Sequence, residues 1–148
     1  MLFQILFTNF KGFVIYEKNY DSNELENLKW NKLLYETTQP FWENLKEGNE
    51  EVFQFNDKVT ILMKVGNVLI FLTGKEDYTE IFLIDILNIL LNRLKEVLGT
   101  GISKEKIIDS YHRVLIEIDS MINSNGELIE INSEKKSKKF QKIVFQKK

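Results

Sequence analysis

Residues 51–74 read EVFQFNDKVTILMKVGNVLIFLTG, and this stretch decides the fold. It holds three runs of β-branched, aromatic and other apolar residues: 52–55, 59–63 and 68–72. Such residues suit the pleated, half-buried surface of a sheet. Asn56-Asp57 and Gly66-Asn67 punctuate the runs, and short polar or glycine pairs between extended runs are hairpin signals. The reading is three antiparallel strands at 51–56, 58–65 and 68–74. The last is apolar nearly throughout, which places it in the centre of a sheet with helices on at least one face.

Working outward, residues 2–8 (LFQILFT) set Phe3, Ile5 and Phe7 two apart, as on one face of a strand. Asn9-Phe10-Lys11-Gly12 reads as a turn and 13–19 as the returning strand. Asp21 is read as a helix N-cap, with Glu24 three residues on as in a capping box. Leu25, Leu28, Trp30, Leu33 and Leu34 follow at helical intervals, giving a helix over about 22–37. Pro40 disfavours helical geometry at Gln39. Residues 41–50 form a polar loop with one helical turn at 41–45. A second helix spans 79–98, with Gly99 as its C′ residue. A third runs from Ser103 to about Ile122 and ends at Asn123-Ser124-Asn125-Gly126. Residues 127–131 are a short extended piece. The order β-β-α-β-β-β-α-α with an antiparallel sheet is an α+β architecture. Ile5, Phe7, Ile61, Leu69, Phe71, Leu87 and Leu90 are its expected core.

A chain of 148 residues with 43% hydrophobic and 28% charged residues is long enough to bury one core without staples. Cysteine is absent, which excludes a disulfide scaffold, a thiol nucleophile and cysteine-ligated zinc. No targeting segment is visible, since Asn9 and Lys11 follow the apolar start at once. The longest apolar run, 81–91, falls short of the ~20 residues of a membrane span. The expectation is a soluble, cytoplasmic protein. Its net charge of −2 is uneven: residues 134–148 carry seven lysines and one glutamate, +6, leaving −8 on the other 133. An acidic body argues against nucleic-acid binding.

Residues for chemistry are scarce. His112, the single histidine, has Asp109 three residues before it. A helix surface with a neighbouring carboxylate explains the pair better than catalysis does. Gly99-Thr100-Gly101 lacks the lysine of a phosphate-binding loop and lies between helices, where it reads as a tight connection. Glu50-Glu51 and Glu76-Asp77 read as solvated charge. The sequence suggests no catalytic residue, no cofactor and no metal ligand set. The informative segment is 81–94, whose leucines 83, 87, 90 and 94 already fill one helical stripe. Phe82, Ile86 and Ile89 widen it well past one stripe, so the helix is expected to be buried on two sides. Either the sheet and the third helix cover both, which is the favoured reading, or one face carrying Phe82, Ile86 and Ile89 docks on a larger partner.

Three segments resemble the longin-type small subunits of vesicle coats, coatomer zeta and the clathrin-adaptor sigma chains. FTNFKGFVIYEKNY (7–20) is similar to their opening hairpin, with Gly12, Lys18 and Tyr20 at the matching steps. VLIFLTGKEDYTEIFLIDILNILLNRL (68–94) is similar to the zeta pattern of apolar strand, glycine turn and long apolar helix. IEIDSMINSNGELIEINS (116–133) resembles the shared ending, with Asp119, Gly126 and Glu130 in place. The resemblance covers about 2–133. It implies a five-stranded antiparallel sheet with one helix on one face and two on the other, no enzymatic activity, and a larger coat or adaptor subunit as partner. Other longin domains engage a small Arf- or Rab-like GTPase or belong to the signal-recognition-particle receptor, and these are the alternative readings. Ile15 stands where sigma chains carry a basic residue for acidic dileucine cargo, so that recognition is not carried over.

The division expected is a domain over 1–133 and a basic tail over 134–148. In the tail Lys135, Lys136, Lys138, Lys139 and Lys142, followed by Lys147 and Lys148, surround Phe140, Ile143, Val144 and Phe145. That composition suits peripheral contact with an anionic membrane surface. Packing of the apolar residues on the acidic body is the favoured reading.

Overall fold

The computed structural model describes residues 1–20, 23–75, 77–99 and 101–129. Strands β1 (Leu2–Thr8) and β2 (Val14–Asn19) precede helix α1 (Glu24–Thr38) and a 3-10 segment (Gln39–Asn44). Strands β3 (Glu50–Gln54), β4 (Lys58–Val65) and β5 (Val68–Lys75) follow, then α2 (Glu80–Leu98), α3 (Lys104–Asp109) and α4 (Tyr111–Met121). The five strands form one antiparallel sheet in the order β2-β1-β5-β4-β3. This is the expected α+β, longin-like arrangement.

The alternation of side chains along the strands feeds two cores. On one face, Phe3, Leu6, Leu62, Leu69 and Phe71 pack with Trp30 and Leu34 of α1 and Trp42 of the 3-10 segment. On the other, Ile5, Phe7, Ile61, Ile70 and Leu72 meet α2 through Leu83, Leu87, Leu90 and Leu94, with Ile107, Val114 and Ile118 of α3 and α4 behind. All seven expected core residues are buried.

The structure corrects four local readings. Phe3 does not share a face with Ile5 and Phe7. Leu2 pairs with Gly74 and Gln4 with Thr73, so Phe3 is the extra residue of a bulge, and its ring meets Trp30 edge-on at 5.7 Å. The cap of α1 is Asn23, whose Oδ1 accepts the Glu26 N–H at 3.0 Å; the expected cap, Asp21, lies outside the described residues. α1 ends at Thr38, where its stop is expected, but Gln39 keeps helical geometry (φ −55°, ψ −40°) ahead of Pro40, because a proline in the first turn of the 3-10 segment forfeits no helical hydrogen bond. The third helix is two: Ser110 sits at φ −115°, ψ 27° between α3 and α4. Serine side chains compete for nearby backbone groups and favour turns over helix interiors.

Gly126 positions the chain after α4. It has φ 77°, the left-handed region that glycine enters without a steric penalty. Its carbonyl accepts the Leu2 N–H at 2.6 Å, and a Cβ there would meet the Leu2 carbonyl oxygen. Gly126→Ala should therefore cost on the order of 1–3 kcal/mol. Leu87→Ala, which empties a site with no exposure, should cost ~2–5 kcal/mol. Urea titration of both variants checks this; a midpoint equal to the parent's would remove that residue from its assigned role.

Candidate docking surface

The residues that hold α1 in place are polar. Gln4 of β1 is 1% exposed and bonds in three directions. Its Oε1 accepts the Trp30 indole N–H at 3.2 Å, and its Nε2 donates to Asn31 at 2.7 Å and to Asn19 at 2.8 Å. The Glu17 carboxylate accepts from Asn19 at 2.9 Å and Asn31 at 3.0 Å. A closed network of this kind sets the helix over β1 and β2 in one register.

That register leaves apolar surface outside. Trp30 and Leu34 are buried, while Leu25 and Leu28 are 64% and 68% exposed. At ~100° per residue both lie about 140° or more around the helix from Trp30. Leu28, Asn31 and Tyr35 share a stripe spaced three and four apart. Asn31 bonds to Glu17 of β2, and a Cβ at Gly12 would come within 2.8 Å of the Tyr35 ring, so the stripe runs along the edge strand β2. Phe13 and Val14, at the start of that strand, are exposed too. A cavity of about 70 Å³ opens between them, lined by Val14, Asn31, Tyr35 and Trp42 among others. The helical spacing of Leu25, Leu28, Trp30, Leu33 and Leu34 locates the helix, and the angular spread of these residues is the signal that not all of them face the core.

The three docking residues expected on α2 separate in the structure. Ile86 has no exposure and belongs to the core, because α2 is covered both by the sheet and by α4. It presents nothing to a partner. Phe82 is half-buried against the core and stacks edge-on against Tyr78 at 4.7 Å. Ile89 is 36% exposed. The candidate lysines of the tail, Lys135, Lys136, Lys138, Lys139 and Lys142, lie outside the described residues.

No arrangement for chemistry emerges among the described residues. His112 and Asp109 are exposed and fall on opposite sides of the Ser110 break. No three His, Cys, Asp or Glu residues converge as metal ligands. An open cleft of about 500 Å³ at the sheet end is lined by Asp57, Lys58, Lys75 and Tyr78 among others. The Lys58 ammonium is already used: it lies 3.1 Å from Asp57 and 4.7 and 5.1 Å over the rings of Phe3 and Trp30. Its hydrogen bond holds the Asp57 carboxyl below the usual range. No described helix is long and apolar enough to cross a membrane.

An antiparallel five-stranded sheet between two cores, with α1 on one face and α2–α4 on the other, defines a class: a longin-like α+β domain. Comparison with known proteins narrows this. The chain is 27% identical over 136 residues to the TSET complex member tstD of Dictyostelium discoideum, covering 90% of this chain and 88% of that one. It is 26% identical over 135 residues to coatomer subunit zeta of Saccharomyces cerevisiae, covering 87% of this chain and 71% of that one. No family model matches. The chain thus resembles the small zeta- and sigma-like subunits of coats along nearly its whole length.

Two buried phenols give the fold a pH signature. Tyr16 is 1% exposed beside Phe7 and Tyr111, and neither its hydroxyl nor that of Tyr20 has a hydrogen-bond partner among the described residues. Burial, aided by the Asp119 charge and the neighbouring tyrosines, raises both pKa values well above the ordinary phenol value. Below pH ~10 both phenols are neutral, folded or unfolded, and stability is intact. Above it the unfolded chain loses these protons first, so stability falls as pH rises. Urea midpoints measured across the alkaline range should drop, and Tyr16→Phe should flatten the drop with no loss at neutral pH. An unchanged slope would place neither phenol in the dry interior.

Proposed function

We propose that this chain is a small, non-enzymatic scaffold subunit of a larger vesicle-coat or adaptor assembly. On this reading it works in the cytoplasm and is peripheral to membranes while in the assembly. The collinear similarity to a TSET complex member and to a coatomer subunit carries the reading. The docking face is the flank of α1 and β2, where Leu28, Tyr35, Phe13 and Val14 lie exposed beside a strand edge that is unpaired among the described residues. Stable interfaces bury ~800 Å² per partner around a few large apolar or aromatic anchors. This flank supplies such anchors, and the edge of β2 offers backbone groups to an extended segment of the larger subunit.

Tagging the chain in its own cells, crosslinking and identifying the recovered proteins by mass spectrometry tests the assembly. The expected result is constant-ratio recovery of a larger chain similar to coat large subunits. Leu28→Asp and Phe13→Asp place a carboxylate in the contact, where its desolvation is costly. Each should abolish recovery of the larger chain while leaving the circular dichroism and melting curve unchanged, since both side chains already face solvent. Recovery of the chain alone, or of a small GTPase without a larger subunit, would overturn the reading.

A further inference from the structure

The last described residues lie between the end of α4 and the start of α2. Leu128 pairs with Ile122 in an isolated bridge, and the Ile129 N–H donates to the Met121 carbonyl at 2.8 Å. Tyr78, which stands just before α2, lines one cleft with Asn125 and Glu127. The described residues therefore end beside the first turn of α2, next to the seam between α2 and α4.

That seam has a definite chemistry. Phe82, Ile89 and Arg93 share one stripe of α2. Arg93 Nη1 donates to Glu117 at 3.1 Å and to Ser120 at 2.8 Å on α4, so the stripe faces α4. Exposed isoleucines flank it: Ile81 at 74% and Ile89 on α2, Ile116 at 55% on α4, and Ile129 at the exit. Glu80 and Asp85 on α2 and Glu127 at the exit are exposed carboxylates. The seam thus carries exposed isoleucines beside the Arg93–Glu117–Ser120 contact, with carboxylates at its α2 start.

We propose that residues 135–148 of the same chain dock on this seam. Their apolar residues Phe140, Ile143 and Val144 are spaced three and four apart, and lysines surround them. The segment carries +6 if Glu134 is counted with it, against −8 on the rest of the chain. Opposite charge at short range favours this contact, and a tether raises its effective concentration far above that of any free partner. Length permits it. The eleven residues from Ile129 to Phe140 reach ~36 Å extended, while the 19 residues of α2 span ~28 Å. An anionic membrane is the poorer occupant, because it would repel the acidic body that the tail brings with it. The seam is separate from the flank of α1 and β2, so either contact stands without the other.

The absence of cysteine makes a single-site label clean. A nitroxide placed on full-length Gln146→Cys should quench amide signals of α2 and α4 and leave those of α1, on the opposite face, unaffected. High salt should weaken the quenching, and Ile81→Ser with Ile116→Ser should remove most of it; both side chains are exposed, so the fold survives. Quenching that is absent, or equal on both faces, would overturn the proposal. So would flotation of the full chain on phosphatidylserine vesicles combined with an unquenched seam, which would give the tail to the membrane instead.

Discussion

Strand β5 is buried along Val68–Gly74, on both of its faces. A central strand with no wet side requires a layer above the sheet and a layer below. Every other placement follows from that constraint. α1 enters from β2 and closes one side; α2 leaves β5 after a short connection and closes the other. Gly74 permits the second step, since a Cβ there would lie 2.9 Å from both the Leu83 side chain and the Tyr78 Cβ. The exit of β5 is thus drawn tight against the start of α2, which also sets where the final described residues lie.

The strands were legible because their apolar runs are long and their breaks carry turn residues. The bulge at Phe3 was not, because period-two counting assumes no inserted residue and a bulge leaves no local mark in LFQILFT. Nor was the network of Gln4, Trp30, Asn31, Glu17 and Asn19. Its members are separated by up to 27 residues and none is unusual alone. The break at Ser110 is a similar case, since the apolar positions at 107, 114 and 118 keep helical spacing across it.

Ile86 belongs to the core, while Phe82 and Ile89 remain partly exposed, for a reason that generalises. Both α1 and α2 hold more apolar residues than one stripe needs. In α2 the surplus is largely absorbed, and Ile86 is fully buried, because the sheet and α4 cover the helix from two sides. Among the described residues α1 shares its face only with the 3-10 segment, and Leu25 and Leu28 stay outside. Apolar width therefore signals a docking surface only after the neighbours supplied by the topology have been subtracted. Topology can be read from the order of elements here, and that subtraction leaves α1 as the helix with large apolar residues outside.

The two faces of the sheet are finished by different means. The α2 side is sealed by aliphatic packing across three helices, which is insensitive to small sliding. α1 buries only Trp30 and Leu34 as apolar residues, with Asn27 and Thr38 beside them. Apolar contact of that extent leaves a lone helix poorly specified in register. The hydrogen bonds of Gln4, Asn31 and Glu17 supply the missing specification, because buried polar groups tolerate few alternative geometries. They do so at the cost of apolar burial, and the leucines they exclude remain on the surface. A helix held by directional bonds and left with an uncovered apolar flank suits a subunit whose last layer comes from another chain.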